Sequence, residues 1–388
     1  MSPRRGADVL ATARARNLEQ TVQDAGIILC TGSGGVGKTT AAAALALAAA
    51  QRGRRTIVVT IDPARRLAQS MGLHALENTP RAVPGVEGLD AMMLDMKRTF
   101  DEVIDRHAND PERAERIKTN RFYKQLTDSL AGTQEYMATE KLFDLHTAAA
   151  YECIVVDTPP TRNALDFLDA PKRLTDFLEG RFLRLFLAPG MAAGRLTARA
   201  AGFGAGVFMR VASRITGAGV LGDLAEFFQS FEGMYDGFKN RAQSVYRLLQ
   251  SPGSAFVVVA TPDTPALREA RYFLQRLAGE GMPTAGLVIN RMTPEPTAAL
   301  AGHSPPEFET VAKRLDDGVP ERRATAALLR LAADRTEAAV REQRTISSAL
   351  HGVDPRALVE VPMMSDDIHD LEGLRRLGSH LVGTGSAA

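Results

Sequence analysis

The sequence has only two cysteines, Cys30 and Cys153, and it lacks any long hydrophobic run. The cysteines lie in separate apolar segments far apart in the chain, which excludes a disulfide framework and a Cys-x-x-Cys metal pair. The least polar stretch, residues 200–209, has about half of the roughly 20 residues that a membrane-spanning helix needs. The first residues are charged and no apolar segment follows them, which argues against a secretory signal. We therefore expect a cytoplasmic protein without an integral membrane segment.

The sequence also lacks an excess of charge of either sign. Lysine and arginine total 47 against 46 aspartate and glutamate, so the net charge is +1. Such a balance produces no field that would attract nucleic acid or anionic lipid, and no nucleic acid partner is expected. The length of 388 residues, at about 150 residues per domain, allows two domains or one large α/β domain with an insertion.

Short β-rich runs alternate with helical stretches over much of the chain. The candidate strands are residues 27–31, 56–61, 91–95, 153–157, 256–261, 287–290 and 358–361. This alternation is typical of a parallel sheet covered by helices, so the predicted fold class is α/β. The helix candidate at residues 40–52 is almost all alanine and leucine, which predicts burial against the sheet.

Two stretches interrupt this alternation. Residues 171–250 contain helical patterns without a convincing strand and are interpreted as a helical insertion, whose glycine-rich middle we expect to be mobile or conditionally ordered. A proline-rich loop at 292–306 precedes a charged helical stretch at 310–343, interpreted as a peripheral helix pair. The predicted organisation is a flexible N-terminal segment (1–24), a main domain (25–170 and 251–378), the insertion (171–250) and a flexible tail (379–388).

The most specific feature is the sequence Gly-Ser-Gly-Gly-Val-Gly-Lys-Thr-Thr at residues 32–40. It satisfies G-x-x-x-x-G-K-[ST] between a strand candidate and a helix candidate, the context that a P-loop requires. In such a loop the backbone N–H groups surround phosphates, the lysine neutralises the β and γ phosphates, and the threonine hydroxyl binds Mg²⁺. The residues predicted to bind nucleotide are Gly34, Gly35, Val36, Gly37, Lys38, Thr39 and Thr40, with Thr39 also a metal ligand.

Two aspartates follow predicted strands and are candidates for the rest of the site. Asp157 ends the apolar run 153–156, at the sheet edge where α/β proteins bind ligands, and is a candidate for the magnesium shell or, alternatively, a helix N-cap. Asp62 follows the run 56–61. By position it is a candidate to orient the attacking water, or alternatively a turn residue.

Together these residues resemble a known family. The P-loop at 33–39, Asp62-Pro63-Ala64 and the segment 157–161 look like the corresponding motifs of the ArsA/Get ATPases, the arsenite-pump and guided-entry group within the MinD/ParA class of deviant P-loop proteins. Later segments at 256–263, 286–291, 361–364 and 370–374 are similar to family segments in the same order. The resemblance spans roughly residues 25–378.

The resemblance implies a three-layer P-loop NTPase fold with a mostly parallel sheet, and it implies ATP and Mg²⁺ as ligands. By resemblance, Asp62 and Lys38 are catalytic, Asp157 is the switch II magnesium aspartate, Asn290 reads the adenine edge and Pro362 borders the base. Family members work as nucleotide-gated dimers whose inserted helices assemble a hydrophobic groove. The resemblance thus implies a dimeric ATPase that couples closure to binding of a hydrophobic client or a membrane-protein partner, with a membrane receptor left open. An ordinary core layer is the alternative interpretation of the insertion.

The chain departs from the family pattern at several positions. Ser33 stands where the family has a lysine that reaches the partner's phosphates. A homodimer would then be slow, unless Arg65 or Arg162 substitutes. The alternative is a weakly catalytic, ATP-binding regulatory subunit that pairs with a paralogue carrying the lysine. The zinc-binding Cys-x-x-Cys of eukaryotic members is absent, and Thr161-Arg162-Asn163 replaces the family's Thr-Gly-His. A ParA/MinD-like positioning ATPase is a third interpretation. The tail 374–388 argues against it, because this tail offers no amphipathic membrane helix.

Overall fold

The computed structural model describes residues 17–61, 66–108, 110–120, 123, 133–158, 234–294, 303–316, 318–354 and 357–383. Within these residues the strands are β1 (Ile27–Gly32), β2 (Thr56–Thr60), β3 (Arg81–Ala82), β4 (Leu89–Met93), β5 (Cys153–Asp157), β6 (Ser254–Ala260), β7 (Thr284–Met292) and β8 (Leu358–Pro362). The helices are α1 (Leu18–Asp24), α2 (Lys38–Ala50), α3 (Arg66–Ser70), α4 (Met96–His107), α5 (Pro111–Thr119), α6 (Thr133–Thr147), α7 (Tyr235–Gln250), α8 (Thr264–Gly279), α9 (Pro305–Leu315), α10 (Pro320–Ala349) and α11 (Leu371–Val382).

The strands form one eight-stranded sheet in the order β3-β4-β2-β5-β1-β6-β7-β8. All neighbouring pairs are parallel except β3 with β4. Every residue of β2, β5 and β6 is buried, as expected for parallel strands covered on both faces. The predicted α/β class and mostly parallel sheet are confirmed.

Strand β4 differs from its predicted position. It covers Leu89–Met93, two residues earlier than predicted, because Asp95 is the N-cap of α4 and accepts a hydrogen bond from the Arg98 backbone N–H at 2.9 Å. An aspartate in that role belongs to the helix start. The short antiparallel edge strand β3 has no counterpart among the predicted strands.

Helix α2 is the central helix of one sheet face. Eleven of its thirteen residues are buried, which confirms the burial predicted from its alanine and leucine content. It lies between the sheet and α11, where Leu374, Leu377 and Leu381 are buried. Because alanine side chains are small, α2 can approach both neighbours closely.

Both ends of the described chain are helical. Asn17 caps α1, which buries Leu18 and Val22. Residues 379–382 form the last turn of α11. Of the tail interpreted as offering no amphipathic membrane helix, residues 374–382 belong to α11, whose buried leucines pack toward α2 inside the protein.

The structure describes part of each of the two stretches that interrupt the β/α alternation. The predicted peripheral helix pair is present as α9 and α10, which pack against each other. The end of the predicted insertion is α7, a helix of the main body that buries Ala242, Val245 and Leu249 and packs on α6 and β6. Residues 171–233 lie outside the described residues. Among the helices described, none is both long and apolar enough to cross a membrane.

Candidate nucleotide site

The P-loop connects the end of β1 to the start of α2, as predicted. A Cβ atom on Gly32 would lie 2.1 Å from the Val259 carbonyl oxygen of β6, so only glycine fits where the loop leaves the sheet. Gly35 and Gly37 have φ angles of 79° and 99°, a region that other residues adopt only with strain. The glycines are therefore required by the shape of the loop, and this shape is the cradle that phosphate-binding loops provide.

Asn290 fastens the loop to β7. Its amide Nδ2 donates to the Val36 carbonyl oxygen at 2.9 Å, and its Oδ1 accepts from the Arg291 backbone N–H at 3.0 Å. The pairing of β7 with β8 is irregular between Ile289 and Met292, an irregularity that redirects side chains at strand ends. A Cβ atom on Gly37 would lie 2.3 Å from Asn290 Nδ2. The loop and the asparagine thus fit each other closely.

Lys38 is the first residue of α2 and is only 6% exposed. Its Nζ donates to the Ser33 carbonyl oxygen at 2.7 Å, so the ammonium is folded back over the loop. The Ser33 hydroxyl in turn donates to the carboxylate of Glu269 on α8. Glu269 was not among the predicted site residues, because no local motif marks it.

Thr39 and Asp157 meet at the carboxyl edge of the sheet, as the sequence predicted. The Thr39 hydroxyl donates to Asp157 Oδ2 at 2.7 Å, and Thr60 at the end of β2 donates to the same oxygen at 2.9 Å. Asp157 is fully buried. Carboxylate and hydroxyl oxygens are hard ligands of the kind Mg²⁺ prefers, so this donor set fits the metal. Thr60 was missed by the sequence reasoning.

The two cysteines are buried thiols, as predicted. Burial raises the pKa of Cys30 well above its ordinary value, and the nearby charge of Asp157 raises it further. Burial also raises the pKa of Cys153 to about 11. Both residues are therefore neutral thiols inside the sheet. In the part of the chain that the structure describes, no group of three or more histidine, cysteine, aspartate or glutamate side chains is arranged to hold a metal ion.

A cavity of about 400 Å³ opens beside the loop, within the size range of small-ligand pockets. Gly37, Thr39 and Thr40 form its P-loop end, and the predicted residues Asn290 and Pro362 lie on its wall. Further lining residues are Arg66, Gln69, Ser70, Arg291, Met363, Met364, Asp366, Asp367, Ile368, His369 and Leu377. The resemblance at 286–291 and 361–364 covers Arg291, Met363 and Met364, whereas no motif marks the others.

The structure thus brings together the loop, Lys38, Thr39, Asp157, Asn290 and Pro362. Asp62 lies outside the described residues, and so do Arg65 and the segment 159–163. Thr158, next to Asp157, donates its hydroxyl to the Cys30 carbonyl oxygen at 2.9 Å. This hydrogen bond holds the chain directly after Asp157 against the end of β1.

The sheet order, the glycine cradle and the threonine–aspartate pair define a P-loop nucleotide-binding protein of the α/β type. The sequence model of a family described as anion-transporting ATPase matches residues 25–305, more than half of the chain. The chain therefore belongs to this ArsA-type family and is an ATP-hydrolysing enzyme.

Similar proteins come from distant organisms. The ATPase ARSA2 of Chlamydomonas reinhardtii is 30% identical over 268 residues, covering 68% of this chain and 67% of that protein. The ATPase get3 of Schizosaccharomyces japonicus is 24% identical over 275 residues, covering 69% and 75%. An uncharacterized protein of Streptomyces coelicolor, SCO2128, is 31% identical over 277 residues, covering 70% and 64%. The resemblance to ArsA/Get ATPases is confirmed.

Proposed function

We propose that this ATPase binds ATP with Mg²⁺ at the P-loop and works as a nucleotide-gated dimer in the cytoplasm. The observation that carries the proposal is the 2.7 Å hydrogen bond from the Thr39 hydroxyl to the buried Asp157, beside a loop that ends in Lys38. Thr39 and Asp157 would hold the metal, Thr39 through its hydroxyl and Asp157 as part of the shell. ATP would supply the phosphoanhydride bond and Mg²⁺ would neutralise charge on the phosphates.

Each protein group has a separate task in this proposal. Lys38 turns its ammonium from the Ser33 carbonyl toward the β and γ phosphates. The loop N–H groups and the start of α2 orient the phosphates. Asp62 orients the water that attacks the γ phosphate. Asn290 and Pro362, on the cavity wall, face the base.

We further propose that closure of the dimer is coupled to a hydrophobic client or to a membrane-protein partner. The support is the resemblance to ArsA/Get ATPases and the apolar helical patterns predicted for residues 171–233. The second candidate is a weakly catalytic regulatory subunit that pairs with a lysine-bearing paralogue. It is favoured by Ser33, whose hydroxyl is bonded to Glu269 and which supplies no positive charge to a partner.

The test is ATP binding and turnover by purified variants. We expect Lys38→Ala to lose most ATP affinity, at least about tenfold, because the buried ammonium is lost. We expect Asp62→Asn to bind ATP like the parent and to lose turnover. Isothermal titration with Mg-ATP and phosphate release measure the two effects. Asp316→Asn, an aspartate paired with Arg330 on the peripheral helices, is the matched control.

Three results would contradict the proposal. Unchanged ATP affinity in Lys38→Ala would contradict the assignment of the P-loop as the ATP-binding site. Hydrolysis at the parent rate by Asp62→Asn would show that Asp62 does not position water. If EDTA leaves turnover unchanged, the proposed metal dependence is wrong.

A further inference from the structure

Glu269 lies on the exposed side of α8, facing the P-loop. The opposite side of the helix is buried, with Ala266, Leu267 and Ala270 among its core residues. Asp263 caps the helix by accepting from the Ala266 N–H at 3.0 Å. Because α8 is capped and packed on the sheet, the backbone of Glu269 is held at a defined place beside the loop.

Ser33 joins Glu269 to Lys38 through two different groups. Its hydroxyl donates to Glu269 Oε2, and its carbonyl oxygen accepts from Lys38 Nζ at 2.7 Å. The second bond uses the ammonium that the proposed phosphate binding requires. In the proposed ATP-bound state that bond would be given up, whereas the bond to Glu269 uses only the serine side chain and would remain.

Two side chains thus hold the loop from outside. Asn290 holds Val36 at 2.9 Å near the helix end, and Glu269 holds Ser33 near the strand end. Between them lie Gly34 and Gly35, which have no side chains with which to anchor the loop. A hydrogen bond to a carboxylate is roughly twice as strong as a neutral one. Removing it would leave the strand end of the loop free to depart from the phosphate-binding shape.

We propose that Glu269 is a positioning residue that keeps the P-loop in its phosphate-binding shape by accepting the hydrogen bond of Ser33. This inference rests on the proposed ATP site. Ser33 then anchors the loop within its own chain. This role is separate from its lack of a positive charge for a partner chain.

The experiment compares Glu269→Ala, Glu269→Gln, Ser33→Ala and the double variant with the parent. In the nucleotide-free protein, backbone amide hydrogen exchange of residues 33–37 should be faster in Glu269→Ala and Ser33→Ala. Mg-ATP should bind these variants about three- to tenfold more weakly in isothermal titration, which corresponds to the net contribution of one typical hydrogen bond. The double variant should be no weaker than either single variant, because both remove the same bond. Glu269→Gln keeps an acceptor but loses the charge, so both measurements should fall between those of the parent and Glu269→Ala.

The matched control is Glu337→Ala, which removes a helical glutamate paired with Arg341 and should change neither measurement. Unchanged loop exchange in Glu269→Ala would overturn the inference, whatever the ATP affinity. A loss in Glu269→Gln as large as in Glu269→Ala would also overturn it, because charge rather than the hydrogen bond would then matter. A parent protein that fails to bind Mg-ATP contradicts the proposed function, whereas a parent that binds alongside an unaffected Glu269→Ala contradicts this inference alone.

Discussion

Gly35 and Gly37 both have positive φ angles, but the space around them differs. A Cβ atom on Gly35 would meet nothing within 4 Å, whereas one on Gly37 would lie 2.3 Å from Asn290 Nδ2. We expect Gly35→Ala to cost about 1 kcal/mol of unfolding free energy, the strain of a left-handed residue. Gly37→Ala should cost more, because it also displaces Asn290. Denaturant unfolding of the two variants measures the difference, and equal costs would contradict the close fit of Gly37 and Asn290.

Other single side chains at the site act through their neighbours. Asp157 is placed by β5, and its partners Thr39 and Thr60 come from α2 and β2. The sequence predicted the first of these partners, because the P-loop motif contains it. It did not predict Thr60 or Glu269, because neither belongs to a motif and only the packing of separate elements brings them to the loop.

At the level of helices and strands, the packing of α11 on α2 closes one face of the sheet. Leu377 is buried in this contact, so Leu377→Ala should cost about 2–5 kcal/mol of unfolding free energy through lost burial and a cavity. Leu328→Ala on α10 is the control, because Leu328 is 66% exposed and should change stability by less than about 0.5 kcal/mol. Denaturant titration of both variants tests the prediction. Equal effects would mean that α11 contributes little to the core.

The junction of α4, α6 and α7 contains a network of charges in which Glu140 is buried and Arg241 and Asp144 are partly buried. Arg241 on α7 donates to Glu140 Oε2 at 2.9 Å and also to Asp144, and it lies over the Phe143 ring with its guanidinium carbon 4.3 Å from the centroid. Burial lowers the pKa of His107 below its ordinary 6.5, and the charges of Arg106 and Arg241 lower it further. Burial raises the pKa of Glu140.

These two shifts have opposite effects on stability. His107 binds a proton less readily in the folded protein, so the unfolded chain binds more protons below pH 6.5 and the unfolding free energy falls as the pH drops through that range. Glu140 binds a proton more readily when folded, so its contribution is largest below its ordinary pKa of 4.5 and is lost as the pH rises through the raised value.

The histidine contribution can be isolated with a variant. We expect His107→Gln to lose less unfolding free energy than the parent between about pH 7.5 and about pH 5.5, because the titrating group is gone. His351→Gln, at an exposed position, should follow the parent more closely. Denaturant titrations at the two pH values measure the difference. Identical pH dependence of parent and His107→Gln would show that burial of His107 has no energetic consequence.

For the protein as a whole, the proposed dimer predicts how turnover depends on protein concentration. ATP hydrolysis per chain should rise with concentration at fixed Mg-ATP, because each site would be completed by association with a second chain. Phosphate release over a range of protein concentrations measures this, and the Asp62→Asn variant provides the background. Turnover strictly proportional to protein would contradict a reversible homodimer. Tight ATP binding without turnover would favour the regulatory-subunit alternative.

Most of the sheet was predictable from the chain, because strands such as β5 and β6 are short apolar runs bounded by polar residues or glycine. The predicted position of β4 was wrong because Asp95 caps α4 and so belongs to the start of the helix rather than to the strand. Helix α1 was not predicted, because it is short and gains its stability by burying Leu18 and Val22, a gain that no local pattern reveals.

The sequence by itself determined the fold class, the P-loop and the aspartate at the end of β5, because these follow from local patterns of residues close together in the chain. It also determined that the cysteines are buried in strands. Only the tertiary structure decided that Glu269 holds Ser33, that Asn290 holds Val36, and that a cavity opens between the loop and the segment after β8. These contacts join residues 236 and 254 positions apart, and such pairings are set by the packing of whole elements rather than by local preference.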